Sequence, residues 1–228
     1  MPFNDLNILK EINPHPSQYV WFEMGALNGN GIQVALDAGY KRVISVEIIK
    51  HYYDICCERF KKEIEEGRVE LLLGDAEELI HVCKDIEERI VFFIDAHFDD
   101  AQIEYYNEET PVDLRRSMSP NILATFDRIL ALSRTQEDLY ILDDFDTLVS
   151  GKAPWAVKGK NGPPLGIIEP LFQLIETYST YLLVEGVMWS GGNKRKFDIL
   201  AITRKQPIPP VSSVLYSPTG GEALNNPR

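Results

Sequence analysis

The chain has 228 residues, of which 44% are hydrophobic and 25% charged, values ordinary for a globular protein of one α/β domain. Its formal net charge of −12 argues against nucleic acid as a substrate, because neutralising phosphates requires a basic surface. No apolar run approaches the ~20 residues of a membrane span and no N-terminal leader pattern is present, so we expect a cytoplasmic protein without a membrane span.

Apolar runs and amphipathic patterns alternate along most of the chain. Strands are predicted near residues 19–24, 43–47, 69–73, 90–95, 138–143, 180–187 and 197–204. Helical patterns are predicted between most of them, at 30–39, 51–66, 76–87, 116–134 and 165–178. Such alternation implies a parallel sheet with right-handed crossovers, whereas the last two strands share a short Gly-rich link and should pair antiparallel. The domain boundaries we expect are an N-terminal extension at 1–18, one domain at 19–206 and a Pro-rich tail at 207–228.

The first predicted strand ends on an acid and continues into a glycine-rich turn, Glu23-Met24-Gly25-Ala26-Leu27-Asn28-Gly29-Asn30-Gly31. Glycines allow sharp turns and the close approach of a ligand, and the helix that follows offers unpaired N–H groups. The dinucleotide fingerprint G-x-G-x-x-G does not fit, because aligning it on Gly29 and Gly31 puts Val34 at the third glycine. The spacing E-x-G-x-x-x-G-x-G instead resembles the first motif of the class I S-adenosylmethionine (SAM) dependent methyltransferases.

That resemblance implies a Rossmann-like, doubly wound, mostly parallel sheet of seven strands that closes with a C-terminal antiparallel hairpin. Glu47 ends the second strand, where a carboxylate can accept both ribose hydroxyls. The resemblance also implies that Asp75 binds the adenine amino group, although an N-cap of the next helix is compatible with the same residue. The predicted cofactor-binding residues are Glu23, Gly25, Asn28, Gly29, Gly31, Ile32, Glu47, Ile48, Gly74, Asp75, Ala76 and Asp95.

Further acids follow the fourth and fifth predicted strands. Asp95 ends the fourth strand, with His97 two positions later, and Asp143 and Asp144 end the fifth. Like charges converging at neighbouring strand ends favour a bound cation, and oxygen ligands favour Mg²⁺, with Mn²⁺ as an alternative. The pattern resembles the metal-dependent O-methyltransferases of the catechol and macrocin types, and the Asp-Asp pair is closer to the macrocin-type sugar enzymes. Capping or solvation of a loop by Asp143 and Asp144 is the alternative.

These residues predict an O-methyltransferase that methylates a hydroxyl of a sugar or glycan, assisted by a divalent cation bound to Asp95, Asp143 and Asp144. His97 is the first candidate for the base, with Asp95, Asp99 and Asp144 as alternatives. Three other interpretations remain: a metal-independent enzyme acting on another small molecule, a nucleotide-binding oxidoreductase, and a SAM-fold module without catalysis. A homodimer and membership of a longer multidomain polypeptide are both left open.

Overall fold

The computed structural model describes residues 6–95, 125, 128–129, 131–143, 180–187, 194–203 and 214–216. Helices α1 (Leu6–Ile12) and α2 (Asn30–Ala38) flank strand β1 (Tyr19–Met24), which follows a short 3-10 turn at Pro16–Gln18. The next elements are β2 (Arg42–Glu47), α3 (Lys50–Arg59), α4 (Lys61–Glu65), β3 (Val69–Leu73), α5 (Ala76–Leu79), a 3-10 turn (Ile80–Cys83) and β4 (Arg89–Ile94). The later strands are β5 (Leu139–Leu142), β6 (Thr180–Val187), β7 (Lys194–Thr203) and β8 (Val214–Tyr216).

All strands of the described residues form one sheet in the order β3-β2-β1-β4-β5-β7-β6-β8. The first five run parallel, which confirms the predicted parallel sheet for that half of the chain. Strand β7 pairs antiparallel with both β5 and β6, and β8 pairs antiparallel with β6. The sequence predicted seven strands, whereas the described residues contain eight. The additional strand is the three-residue β8, which lies inside the Pro-rich segment 207–228 that was predicted to be a tail.

The central strands are buried on both faces, and most of their side chains are apolar. On one face of β1, Trp21 stacks on Phe93 of β4 with ring centroids 5.0 Å apart, and the layer of α1, α2 and α3 covers them. On the other face, Phe22 and Phe92 pack under α5 and the 3-10 turn after it. No helix within the described ranges combines the length and the apolar character needed to cross a bilayer.

Three helical features differ from the sequence prediction. The helix predicted over 76–87 is α-helical only over Ala76–Leu79 and continues as the 3-10 turn Ile80–Cys83. The predicted helix over 51–66 is divided into α3 and α4, because Phe60 leaves helical geometry with φ −108° and ψ 21°. Helix α1 was not predicted, and its Leu9 and Ile12 are buried in the core. Most of the helix predicted over 116–134 and all of the one over 165–178 lie outside the described residues.

A buried ion pair stabilises the edge of the sheet at which β4 and β5 begin. The side chains of Arg134 and Asp138 are only 3% and 2% exposed, with 2.8 Å between Nε and Oδ2. The Arg134 guanidinium also donates to the carbonyl oxygens of Cys83, Ile86 and Glu88. Asp138 accepts the backbone N–H of Ile90 at 2.8 Å. This edge lies opposite the carboxyl ends of the parallel strands, where ligands bind in open α/β sheets.

Candidate functional site

The turn between β1 and α2 has the most constrained backbone of the site. Gly25, Leu27 and Gly29 have φ values of 98°, 47° and 76°, all in the left-handed region. That region costs glycine little but is unfavourable for leucine. Gly29 is the N-cap of α2 and supplies no side-chain cap, so the first N–H groups of the helix keep their capacity to bind a ligand.

Gly29 and Gly31 are required by the packing of the protein itself. An ideal Cβ on Gly29 would lie 2.4 Å from Cε2 of Phe60. A Cβ on Gly31 would lie 1.7 Å from Oε1 of Glu23. The sequence suggested that glycine allows a cofactor to approach at these positions, and the structure adds that two neighbouring side chains leave no room for anything larger.

Glu47 joins the end of β2 to the glycine-rich turn. Its Oε2 accepts the N–H of Leu27 and its Oε1 accepts the N–H of Ile49, both at 2.7 Å. Burial raises the pKa of this carboxyl group, and the backbone hydrogen bonds oppose the rise. Each carboxylate oxygen has a second lone pair, so the predicted ribose contact is chemically compatible with both bonds. Ile48, one of the predicted cofactor-binding residues, is half-buried and follows it in sequence.

Glu23 packs against Gly31 in the first turn of α2. Its side chain is buried, and the hydroxyl group of Ser45 donates to its Oε2. Burial is the largest cause of a pKa raised well above the usual range, with the charges of Asp95 and Glu47 acting in the same direction and the Ser45 bond opposing it. Burial therefore favours the neutral, protonated form of this carboxyl group over the charged one.

The raised pKa of Glu23 makes the stability of the protein depend on pH. From about pH 4.3 upward the unfolded chain loses this proton first, so ionisation favours unfolding until the folded-state pKa is passed. Glu23→Gln removes the titration. We expect the free energy of unfolding of Glu23→Gln to rise relative to that of the wild type as pH increases from 4 to 8, measured by urea denaturation at each pH. A constant difference across this range would contradict the raised pKa.

Gly74, Asp75 and Ala76 form the corresponding turn after β3. The N–H of Gly74 donates to the carbonyl oxygen of Glu47 at 2.9 Å, which ties this turn to the end of β2. Oδ1 of Asp75 accepts the N–H of Glu77 at 2.8 Å, so Asp75 is the N-cap of α5. The capping role is therefore present, and the adenine contact remains a prediction that the second carboxylate oxygen can accommodate.

Asp95 and Asp143 follow neighbouring parallel strands and come to the same edge of the sheet. The N–H of Asp95 donates to the carbonyl oxygen of Met24, and that of Asp143 donates to the carbonyl oxygen of Ile94. The ends of β1, β4 and β5 thus meet, as the sequence predicted. His97 and Asp144 lie outside the described residues, and within those residues no three His, Cys, Asp or Glu side chains form a group that could hold a metal. The predicted cation therefore remains a proposal.

Sequence reasoning missed the side chains that hold the turn from the end of α3. Cys56 donates from Sγ to the carbonyl oxygen of Leu27, and Arg59 donates to that of Asn28. Phe60 packs against Gly29. No motif signals these residues, because their contacts span about 30 positions and depend on the angle at which α3 crosses the turn.

Several solved structures have folds similar to that of this chain. The O-methyltransferase from Bacillus cereus in complex with SAH has a TM-score of 0.56 and 20% identity, over 87% of this chain and 78% of that one. TomG from Streptomyces achromogenes, an O-methyltransferase involved in tomaymycin synthesis and solved with SAM, has a TM-score of 0.55 and 16% identity over 87% and 77%. This chain has the fold of the SAM-dependent methyltransferases.

A third structure with the methyltransferase fold gives the same result. The SAH-bound Podospora anserina methyltransferase PaMTH1 has a TM-score of 0.53 and 15% identity over 86% of this chain and 76% of that one. No protein-family model and no curated protein matches the sequence. At these identities the likeness establishes the methyltransferase fold, and the activity has to be argued from the site.

Proposed function

We propose that the protein is a SAM-dependent O-methyltransferase. The observation that carries the proposal is the left-handed turn at Gly25–Gly29, held by Glu47 and followed by an uncapped helix start, within a methyltransferase fold. The turn and the N–H groups of α2 would hold the amino-acid part of the cofactor, Glu47 its ribose, and Asp75 with Ile48 its adenine. When bound, this cofactor supplies a methyl group activated by a sulfonium.

The residues of the chain have a positioning task in this reaction. Methyl transfer is an in-line displacement, so its rate depends on holding donor and acceptor in one geometry. The turn is fixed by hydrogen bonds to Leu27 and by the packing of Gly29 and Gly31. Asp95 lies beside it, at the end of β4, where the acceptor would meet the cofactor. His97 is the proposed base, and Asp95, Asp99 and Asp144 are alternatives.

The acceptor we propose is a sugar or glycan hydroxyl, with a divalent cation held by Asp95, Asp143 and Asp144. The support is the donor set: two carboxylates at neighbouring strand ends and a third next to Asp143 in sequence. Oxygen donors of this kind suit Mg²⁺ or Mn²⁺, which would lower the pKa of a bound hydroxyl. The second candidate is a metal-independent methyltransferase in which Asp143 is structural, favoured by its burial.

Calorimetric titration of the full chain with SAM, SAH and NAD tests the proposal. We expect SAM and SAH to bind and NAD to give no heat of binding. Methyl transfer from labelled SAM to a panel of vicinal diols, sugars and catechols should then fall on adding a chelator and recover with Mg²⁺. Binding of NAD alone would overturn the cofactor assignment. Turnover unaffected by the chelator would select the metal-independent enzyme.

A further inference from the structure

The end of α3 contacts the glycine-rich turn at three points, which together form what we name the α3 clamp: Cys56, Arg59 and Phe60. Cys56 Sγ lies 3.2 Å from the carbonyl oxygen of Leu27. Arg59 Nη1 donates to the carbonyl oxygen of Asn28 at 2.6 Å and to Oδ1 of Asn30 at 2.9 Å. The buried ring of Phe60 fills the space next to Gly29.

The turn needs such support because its backbone is not in a favourable conformation. Leu27 is a left-handed leucine, and such residues persist only where the surroundings over-determine them. Glu47 fixes the N–H side of Leu27, and the α3 clamp holds the carbonyl side of Leu27 and Asn28. The turn is therefore held by helix α3 and by the end of β2, which fixes the direction of the N–H groups at the start of α2.

Within the α3 clamp, Arg59 makes the contacts that span the start of the helix. Its Nη1 donates both to the carbonyl oxygen of Asn28 and to the side chain of Asn30. These two residues lie directly before and directly after the N-cap Gly29. Both bonds are charge-assisted and therefore stronger than neutral ones. The guanidinium lies 5.0 Å from the centroid of the Phe60 ring, which restricts its position. Because Arg59 is exposed, removing it leaves no buried charge behind.

We propose that Arg59 is a positioning residue that holds the Leu27–Asn30 turn in the conformation that binds the cofactor. The inference rests on the proposed function, since it assumes that SAM is the ligand of this turn. Arg59 acts through the backbone of Asn28 and the side chain of Asn30, at the end of the turn that would hold the amino-acid part of the cofactor. Its loss should therefore weaken SAM and SAH equally and leave the rate at saturating SAM unchanged.

The test compares Arg59→Ala, Arg59→Lys and Asn30→Ala in the full chain by titration with SAM and SAH. We expect Arg59→Ala to raise both dissociation constants by about tenfold, the effect of losing charge-assisted hydrogen bonds, and Arg59→Lys to restore part of the affinity. In the double variant, Asn30→Ala should add less than it does alone, because the two side chains act through one contact. With any acceptor that is turned over, KM for SAM should rise while kcat stays unchanged.

Arg68→Ala is the matched control. Arg68 is also partly exposed, and within the part of the chain that the structure describes it pairs with Glu63 and Glu66, away from the turn, so its loss should leave both dissociation constants unchanged. Wild-type affinity in Arg59→Ala, or a fall in kcat without a change in KM, overturns the inference. Unfolding of both Arg59 variants beside a folded Arg68→Ala also overturns it, since Arg59 would then serve stability. Failure of the wild type to bind SAM would instead remove the proposed function, and that titration is done first.

Discussion

Replacing Gly31 with alanine should destabilise the protein by about 2–3 kcal/mol and weaken SAM binding at least about tenfold. Alanine is normally favoured over glycine inside a helix by about 1 kcal/mol, so helix propensity alone would predict that this substitution stabilises the protein. The new Cβ would lie 1.7 Å from Oε1 of the buried Glu23. Either Glu23 gives up its hydrogen bond with Ser45 or α2 moves outward and displaces the turn. Thermal unfolding and calorimetry with SAM measure the two effects.

Two control variants distinguish the steric clash with Glu23 from the general cost of replacing a glycine with alanine. Gly67→Ala adds a methyl group at a position with φ +72° and no atom within 4 Å. It should cost about 1–2 kcal/mol through its backbone conformation and leave SAM affinity unchanged. In the second, Glu23→Ala added to Gly31→Ala removes the opposing carboxyl group and should recover part of the affinity for SAM. A Gly31→Ala protein as stable as the wild type, with normal affinity, would contradict the packing we describe.

Removal of Arg134 should have the largest effect on stability, about 3–5 kcal/mol, because it leaves Asp138 as a buried charge without its cation. Both side chains are almost fully buried, and three backbone carbonyl oxygens would each lose a charged donor at the same time. Urea denaturation of Arg134→Ala gives the free energy of unfolding. At a temperature at which the variant is folded, SAM affinity should be normal, since this ion pair lies at the opposite edge of the sheet.

Arg42→Ala provides the control for Arg134. Arg42 pairs with Glu70 at 3.2 Å, but both side chains are more than 40% exposed, and exposed pairs contribute at most about 1 kcal/mol. If the two arginine variants were equally stable, burial would not be the reason for the effect at Arg134. A loss of SAM affinity in folded Arg134→Ala would instead show that the two edges of the sheet are coupled.

The parallel half of the sheet was predictable because its strands are mostly apolar runs that end near acids or glycine. Such runs suit strands covered on both faces, and the predicted ends of β1 to β5 agree with the structure to within about two residues. The positions of Glu47, Asp95 and Asp143 at one edge followed from the parallel order. In contrast, α1 has seven residues with a weak periodic signal, and β8 has three residues in a segment rich in proline.

The internal structure of the site could not be predicted from the sequence. The glycine pattern indicated a turn, but nothing in it showed that Leu27 would be left-handed or that Gly31 would face Glu23. Both depend on contacts between elements distant in sequence, such as the bond from Glu47 to Leu27. The α3 clamp was missed for the same reason. Asp75 is the opposite case. The local sequence indicated that it could be an N-cap, and in the structure it is the N-cap of α5.

The pairing of β5 has a consequence for biosynthesis. One side of β5 is hydrogen-bonded to β4, but the other is paired with β7, which begins only at Lys194, long after β5 ends at Leu142. While the ribosome is still making the residues between them, β5 presents an open row of amide and carbonyl groups to other nascent chains. An open edge of this kind is a template for aggregation. We therefore expect the stretch between β5 and β7 to be an interval of translation in which the nascent chain is exposed to aggregation.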